Sequence, residues 1–358
     1  MKKIMKMVRG NVLLLGLIVS NIFFLPQKAS ATDEDVLNGA ENYNDHYYKT
    51  FDYGMTWKNA KKYCEALGGH LAAITTEEEQ QFIAESVEKK KKNSYWLGGY
   101  KKSNGEWAWI TGETFSYTNW SSRQPDNYTA KSENALMMYR NTNPYSTSYL
   151  GEWNDINADG TVNSETFFGV SNIGFVCEWD SYDDAEQINI SNATIKSYSK
   201  QITYNGDYQE PNFKIAFCGR TLKSGKDYTV EYANNCNIGQ ATIKVIGQGD
   251  FSGTKIITFN IIPGKVKGVS VKNNAKSKIS VSWNKEKSGS GYEIQYSTKA
   301  KFSTKSIKNI KSPNTTKCSI TNLKKGKKYY VRVRSYKSVK GKKYYGNWSK
   351  VKKISVRK

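Results

Sequence analysis

Residues 56–69, TWKNAKKYCEALGG, decide the fold of the N-terminal part of this chain. The apolar residues of this stretch recur at helical spacing: Trp57, Ala60, Cys64 and Leu67. Thr56 is a typical N-cap residue, and the glycine pair that begins at Gly68 is typical of a helix end. The stretch therefore predicts an amphipathic helix with one face turned to a core.

A second helix is predicted a few residues further on, and the pattern then changes. Thr76 and Glu79 have the spacing of a capping box, and apolar residues follow at positions 82, 83 and 87. From about residue 95 to 180 the chain is rich in Trp and Tyr and has short runs separated by turns. Residues 32–184 therefore predict an α+β domain of two helices, short antiparallel sheets and long loops.

Two all-β, sandwich-like modules are predicted after this domain. In residues 185–263, apolar and polar residues alternate in runs such as 228–232 and 241–245, and Asn/Gly turns separate the runs. We expect a small Ig-like module there. Residues 264–358 have runs at regular spacing, such as 279–283, 292–296 and 329–334, which also predict strands.

Charge is distributed very unevenly along the chain. The 54 basic and 32 acidic residues give a net charge of +22, yet residues 32–184 hold 13 basic and 24 acidic residues, whereas residues 264–358 hold 28 and 2. The composition excludes a uniformly basic nucleic-acid binder. The basic tail would attract polyanions, and for an exported protein we expect anionic, phosphate-rich cell-wall polymers as partners, not nucleic acid.

The N-terminus has the pattern of an export signal. A basic start, an apolar run over 12–25 and a small-residue site ending at Ala31 predict a signal peptide over residues 1–31. The run is too short to span a membrane, so we expect a secreted protein, held non-covalently at the cell surface, without a transmembrane segment. Export permits disulfides: Cys218 and Cys236, in neighbouring β runs, are predicted to pair, and Cys318 to stay a buried free thiol.

The residues that indicate chemistry all offer side-chain oxygens. They are Gln124, Asp126, Glu133, Asn154 and Asp155. Calcium takes six to eight oxygen ligands and needs neither His nor Cys, so this set predicts a calcium site. Taken singly, each of these residue types is more often solvated in a loop than bound to an ion.

Catalytic arrangements are not predicted. His46 and His70 are the only histidines, and His70 lies in a Gly-Gly-His-Leu-Ala turn where we expect a structural role. With no second His or reactive Cys expected near His70, a nucleophile system of the Ser/His/Asp or Cys/His kind is not credible. We therefore expect a protein that is not an enzyme.

Residues 43–180 resemble the C-type lectin family. The motifs that carry the resemblance are Gly-Gly-His-Leu-Ala at 68–72, Tyr-Trp-Leu-Gly at 95–98, Trp-Ala-Trp at 107–109, Gln-Pro-Asp at 124–126, Trp-Asn-Asp at 153–155 and Phe-Val-Cys-Glu at 175–178. Residues 264–358 resemble a fibronectin type III domain through Trp283, the Leu323–Tyr329 spacing and Trp348. The middle module is similar to small β modules of secreted Gram-positive proteins, which suggests a Gram-positive bacterial source.

The lectin resemblance implies a function for the oxygen-bearing residues. Two sugar hydroxyls would complete the coordination of a calcium ion, and Gln124, Asp126, Glu133 and Asn154 would also contact the sugar. In this family a Gln-Pro-Asp motif with a cis bond before Pro125 is associated with galactose-type sugars, including N-acetylgalactosamine. Tyr128 lies where such members stack an aromatic ring on the sugar. The resemblance also implies a disulfide between Cys64 and Cys177.

This sequence departs from the family pattern in two places. Ala135 and Ala158 stand where long-form members have an inner disulfide, so we expect less tethered ligand loops. The loop over residues 155–166 resembles an EF-hand calcium loop, but position twelve, Thr166, is not acidic and no exiting helix is predicted. We expect no independent ion there.

These observations predict a secreted, calcium-dependent carbohydrate-binding adhesin whose ligands are glycans with terminal galactose-type sugars. The alternative is a protein-binding adhesin that keeps the lectin fold without sugar recognition. A third, less favoured interpretation is an accessory protein of an enzyme.

Overall fold

The structure is a computed structural model that describes residues 34–127, 133–140, 149–159 and 169–357. The predicted signal peptide, residues 1–31, lies outside the described residues. Among the described residues, no helix combines the length and the apolar character needed to cross a membrane. Helices and strands fall into an N-terminal α+β module and two all-β modules, which confirms the predicted fold class.

The N-terminal module has two amphipathic helices and a short helical turn before them. The helices are α1 Glu34–Leu37, α2 Trp57–Ala66 and α3 Glu77–Glu88. The strands are β1 Glu41–Tyr43, β2 His46–Phe51, β3 His70–Leu71, β4 Ser94–Lys101, β5 Trp107–Trp109, β6 Ala135–Tyr139, β7 Trp153–Ile156 and β8 Ile173–Trp179. Short 3₁₀ turns cover Val170–Asn172 and Tyr182–Asp184.

One mixed sheet organises this module. Within the described residues its order is β1-β2-β8-β4-β6-β7, with β3 paired to β8 and β5 paired to β4. The pairs are antiparallel except β4 with β8, which is parallel. The sheet therefore joins the first and last strands of the module and carries β6 and β7 to one edge.

The two predicted helices begin as their capping residues indicate. The side chain of Thr56 accepts a hydrogen bond from the Asn59 amide at the start of α2. Thr76 does the same for Glu79 at the start of α3. The Glu79 carboxylate reaches the amide of Thr75, one residue before the cap, because its other oxygen accepts the Tyr48 hydroxyl. The capping box is thus shifted by one residue at its acidic end.

The middle module consists of short strands in three small sheets. The strands are β9 Ile188–Asn189, β10 Thr194–Tyr198, β11 Gln201–Thr203, β12 Phe213–Phe217, β13 Arg220–Thr221, β14 Tyr228–Ala233, β15 Gly239–Gly247, β16 Phe251–Ser252 and β17 Thr254–Ile262, with a 3₁₀ turn at Ile190–Asn192. The sheet orders are β10-β12-β13, β11-β17-β15-β14 and β16-β9. Ile243 and Val245 of β15 are fully buried, as the alternating pattern predicts.

A buried polar contact joins the N-terminal and middle modules. The carboxylate of Asp250 accepts the Tyr63 hydroxyl from α2 at 2.9 Å and lies 3.7 Å from the Lys49 ammonium of β2. The Phe251 ring lies 6.3 Å from the Tyr63 ring and 5.9 Å from the Phe217 ring. The two modules therefore share one apolar core.

The C-terminal module is a sandwich of two sheets. The strands are β18 Ser270–Ala275, β19 Lys278–Ser282, β20 Gly291–Ser297, β21 Ser306–Ile310, β22 Lys317–Ile320, β23 Lys328–Val339, β24 Lys342–Tyr345 and β25 Lys352–Ser355. The orders are β18-β19-β22 and β21-β20-β23-β24, with β25 on β23. The Tyr329 hydroxyl accepts the Lys324 amide at 3.2 Å, which is the contact expected of a tyrosine corner. Trp283 is buried against the Tyr292 ring.

The cysteines differ in part from the expected pairing. All five lie in the described residues and are free thiols. Cys64 and Cys177 are fully buried side by side, and burial together with the hydrogen bond to Cys64 raises the pKa of the Cys177 thiol. Their disulfide stays a prediction for the oxidised protein. Cys318 is a free, half-buried thiol on β22, where full burial was predicted.

The predicted pairing of Cys218 with Cys236 is wrong. Cys218 follows Phe217, whose ring contacts Phe251 where the middle module meets the N-terminal module. Phe251 in turn contacts Gly247, the last residue of β15. Cys236 lies near Gly239, at the other end of β15. The nine residues of β15 span about 27 Å from end to end. This length is far beyond the roughly 7 Å between Cα atoms that a disulfide can bridge.

Candidate functional site

Three of the five predicted calcium ligands, Asp126, Glu133 and Asp155, come together at the sheet edge formed by β6 and β7, and Gln124 and Asn154 lie in the same segments. We call Gln124, Asp126, Glu133, Asn154 and Asp155 the oxygen cluster. Asn154 and Asp155 belong to β7, which pairs with β6 directly after Glu133. Trp153 anchors β7 because it is fully buried and its indole N–H donates to the side-chain oxygen of Gln80 at 2.8 Å.

Asp155 holds the loop that carries the Gln-Pro-Asp motif. Its two carboxylate oxygens accept the backbone amides of Asp126 at 3.1 Å and Asn127 at 3.3 Å. The Gln124–Pro125 peptide bond is cis, as the lectin resemblance implies. The Asn127 side chain accepts the Glu133 amide at 2.9 Å, so the loop is linked to both neighbouring segments.

The carboxylates of the cluster have the spacing that a calcium ion requires. Oxygens of Asp126, Glu133 and Asp155 all lie within 4.8 Å of one another. Ligands on opposite sides of a calcium ion are about 5 Å apart, since each bond is about 2.3–2.6 Å long. Glu133 and Asp155 are buried, whereas Asp126 is exposed at the mouth of the site. The two buried carboxylates can therefore contact the inner side of a cation, while its outer side stays open to solvent.

Asn154 adds an observation that also points to a cation. Its side-chain oxygen is buried, and no hydrogen-bond donor for it is found among the described residues. An unsatisfied buried acceptor is costly unless a ligand completes its interactions. An amide oxygen beside three carboxylates suits calcium, so the residues fit the ion that the resemblance implies.

Burial controls the protonation of the deepest carboxylate. Desolvation raises the pKa of Asp155, while the amides of Asp126 and Asn127 oppose that shift. The nearby charge of Asp126 raises the pKa further, and Lys101 lowers it. A bound divalent cation would favour the charged form of Asp155 and so oppose this desolvation.

Two predicted features of this region are only partly described. Tyr128, the predicted sugar-stacking residue, lies outside the described residues, as does most of the EF-hand-like loop, from residue 160 to Thr166. Ala135 and Ala158, which replace the family's inner disulfide, are both buried. In place of a covalent link, the Asn134 side chain accepts the Ala158 amide at 3.1 Å and joins the two ligand segments.

A second group of side chains of the types that can bind a metal ion was missed by sequence reasoning. His46 and His70, in which we saw no functional pair, converge on Glu178 and Asp180. We call these four residues the histidine cluster. Only the alternation of Glu178 and Asp180 on one strand face could have indicated it, because the pairing of β2 and β3 with β8 cannot be read from the sequence.

Comparison with known proteins gives two family matches. The family described as Lectin C-type domain matches residues 53–163, and the family described as Fibronectin type III domain matches residues 264–352. The oxygen-cluster residues fall within the first match. The second match covers most of the basic C-terminal module.

Individual proteins resemble the N-terminal module alone. A perlucin-like protein of Mytilus galloprovincialis is 29% identical over 153 residues, which are 41% of this chain and 92% of the relative. Snaclec A4 of Macrovipera lebetinus is 32% identical over 109 residues, which are 28% of this chain and 70% of the relative. Among solved structures, the mouse scavenger receptor C-type lectin carbohydrate-recognition domain is 28% identical, with 40% of this chain and 94% of that chain covered and a TM-score of 0.31.

Proposed function

The chain belongs to the C-type lectin domain family, and on that premise we propose that it binds carbohydrate in a calcium-dependent manner at the oxygen cluster. The single observation that carries the proposal is the convergence of three carboxylates within 4.8 Å, one of them next in sequence to Asn154, whose buried amide oxygen has no donor among the described residues. Calcium bound there would supply coordination positions for two neighbouring sugar hydroxyls.

The chain's own residues would then determine which sugar is accepted. Gln124 offers both an amide donor and an acceptor oxygen, whereas Asp126 offers only acceptors. This order of donor and acceptor corresponds to the family's galactose-type motif. We therefore infer a preference for terminal galactose or N-acetylgalactosamine, with Tyr128 as a candidate stacking residue.

We infer a binding protein without catalytic activity, and we propose that residues 1–31 direct its export. The two histidines both face carboxylates in the histidine cluster. A role as a secreted adhesin follows from the lectin-like module combined with two further β modules.

A glycan array in calcium and in excess chelator tests the proposal. We expect binding to glycans with terminal galactose-type sugars in calcium, and no binding in chelator or with Asp126→Ala. Asp159→Ala is the matched control because Asp159 is an exposed carboxylate of the neighbouring turn. Sugar binding that persists in chelator would overturn the proposal. Binding to protein ligands alone would favour the protein-binding adhesin.

We also propose that the C-terminal module binds anionic, phosphate-rich cell-wall polymers. A groove of about 800 Å³ between β20, β21 and the segment before β23 is lined by five exposed lysines: Lys299, Lys305, Lys308, Lys324 and Lys327. The described lining contains no acidic residue, since Glu293 of this module pairs with Arg334 outside the groove. Such a groove attracts a polyanion more than a neutral glycan.

Binding of the full chain to a poly(glycerol phosphate) polymer at increasing salt tests this second proposal. We expect affinity to fall steeply with salt, because exposed charges are screened at high ionic strength. Replacing Lys305, Lys308 and Lys324 by Glu should weaken binding more than the same change at Lys272, Lys276 and Lys287, which are exposed outside the groove. Equal losses in both triple variants would contradict a defined groove.

A further inference from the structure

The histidine cluster lies on one face of the sheet where three strands meet. Tyr48 of β2 and His70 of β3 both pair with Glu178 of β8, on its two sides. One position further along, His46 lies beside Asp180. Residues directly opposite on paired strands project to the same face, and so do residues two apart on one strand. The strand ladder therefore brings these side chains to one point.

Ligand atoms of His46, Glu178 and Asp180 all lie within 4.8 Å of one another, and His70 contacts Asp180 beside them. His46 Nδ1 lies 2.8 Å from Glu178 Oε1 and 3.7 Å from Asp180 Oδ1. His70 Nε2 lies 3.1 Å from the same oxygen of Asp180. A tetrahedral zinc ion with bonds of about 2.0–2.1 Å places its ligands about 3.3 Å apart. The observed separations bracket that value.

The orientation of His70 leaves one ring nitrogen available to a cation. Nδ1 lies 3.1 Å from the carbonyl oxygen of Leu71, which can only accept, so Nδ1 carries the hydrogen of that bond. In the neutral ring Nε2 then presents a lone pair to Asp180, which also presents lone pairs. Two acceptors face each other, and only a proton or a metal ion between them makes the contact favourable. A backbone carbonyl that orients a ligand histidine is a recurrent feature of metal sites.

Glu178 is the buried carboxylate of the cluster, and polar groups contact both of its oxygens. One of its oxygens accepts the Ala73 amide at 3.0 Å, and the other faces the Tyr48 hydroxyl at 3.0 Å. That hydroxyl has a single hydrogen and lies closer to Glu79, at 2.7 Å. The same Glu178 oxygen lies 2.8 Å from His46 Nδ1, and the Glu178 side chain is only 4% exposed, so its charge is held away from solvent. A cation at the cluster would compensate this oxygen.

We propose that His46, His70, Glu178 and Asp180 form a binding site for a divalent transition metal ion of the zinc class. Two imidazoles with two carboxylates are the donor set that zinc prefers and that calcium does not. With neutral imidazoles the four side chains carry a charge of −2, which one divalent ion cancels. The Asp180 side chain is 68% exposed, so an ion can enter from solvent. The site does not depend on the oxygen cluster or on sugar binding.

Calorimetric titration of Zn²⁺ into the full chain, with calcium in excess to fill oxygen-only sites, tests this proposal. We expect saturable binding of one zinc ion. His46→Gln, His70→Gln and Asp180→Asn should each weaken binding by about tenfold or more. Asp183→Asn is the matched control, because Asp183 is an exposed carboxylate three residues from Asp180 and outside the cluster. It should leave zinc affinity unchanged.

Co²⁺ provides a second readout that a structural role of the histidines would not produce. Cobalt in a tetrahedral site with nitrogen ligands absorbs in the visible range, and this band should disappear in the His46→Gln protein. Asp180→Asn keeps the experiment decisive if a histidine variant fails to fold, since the Asp180 side chain is mostly exposed. Absence of saturable zinc binding, or equal zinc affinity in Asp180→Asn and Asp183→Asn, would overturn the proposal.

Discussion

The oxygen cluster and the histidine cluster lie in one module but are built in different ways. The oxygen cluster takes its donors from a loop, from Glu133 two residues before β6 and from β7, and it offers only oxygens. The histidine cluster takes its donors from the ladder of β2, β3 and β8 and from the residue after β8, and it combines imidazole nitrogens with carboxylates. On the two proposals, one fold would thus hold a hard cation with donors mainly from loops and a borderline cation with donors from paired strands.

The difference teaches what each support can do. A strand ladder fixes side-chain positions by backbone pairing, so the histidine cluster has little freedom to rearrange. Loop donors depend on side chains that hold the loop, above all Asp155 of β7, which accepts two backbone amides. We therefore expect substitutions in the oxygen cluster to disturb geometry as well as charge, and substitutions in the histidine cluster to remove single ligands.

The largest effect is expected from Asp155→Ala. The change removes a ligand and leaves the amides of Asp126 and Asn127 without their acceptor. Calcium affinity should fall by about 100-fold or more, measured by calorimetry. Asp159→Ala should bind calcium like the parent chain. Equal calcium affinity in the Asp155 and Asp159 variants would contradict the assignment of the oxygen cluster.

Titrating both zinc and calcium into each variant should show that the two clusters bind independently. Each substitution should weaken the affinity for one metal by at least about tenfold and leave the other affinity unchanged. His46→Gln should weaken zinc and leave calcium unchanged, because no imidazole belongs to the oxygen cluster. Asp155→Ala should weaken calcium in the same protein preparation that still binds zinc. Loss of both metals in either variant would mean that the clusters are not independent.

Exchanging the donor pattern at the motif should change the preferred sugar without loss of calcium. In Gln124→Glu with Asp126→Asn, acceptor and donor trade places around the ion. We expect preference to move from galactose toward mannose by about tenfold, the effect of one hydrogen bond to a charged group. Competition of both sugars for binding to the immobilised protein measures this ratio. An unchanged ratio would mean that residues other than this pair select the sugar.

The smallest effect is expected at the contact that replaces the family's inner disulfide. Asn134→Ala removes the acceptor of the Ala158 amide and should cost about 1 kcal/mol in the free energy of unfolding. Calcium affinity should fall by about two- to fivefold. Asn157→Ala is the control, since the Asn157 side chain accepts an amide within its own turn and joins no second segment. A larger loss at Asn157 would contradict the tethering role of Asn134.

The sequence was most informative where local patterns determine structure. The helix that begins after Thr56 follows from its cap and apolar spacing, and the tyrosine corner follows from the interval between Leu323 and Tyr329. The oxygen cluster could be predicted because all its members have one chemistry and lie in motifs of a known family. These predictions required no knowledge of how distant strands pair.

Long-range pairing explains what could not be predicted. Cys218 and Cys236 were paired because their β runs are neighbours in sequence, yet strand β15 separates them by its full length. His46 and His70 were treated separately because nothing local indicates that β2 and β3 flank Glu178. In both cases the pairing and register of the strands determine which side chains come close together, and register depends on the whole sheet.

The central claim is that sugar binding requires calcium held by the oxygen cluster. Galactose titrated calorimetrically into the calcium-free protein should give no heat of binding, and the same titration after addition of calcium should give saturable binding. The Asp126→Ala protein should give no heat in either condition, and excess zinc should not replace calcium. Saturable galactose binding in the calcium-free protein would contradict the claim.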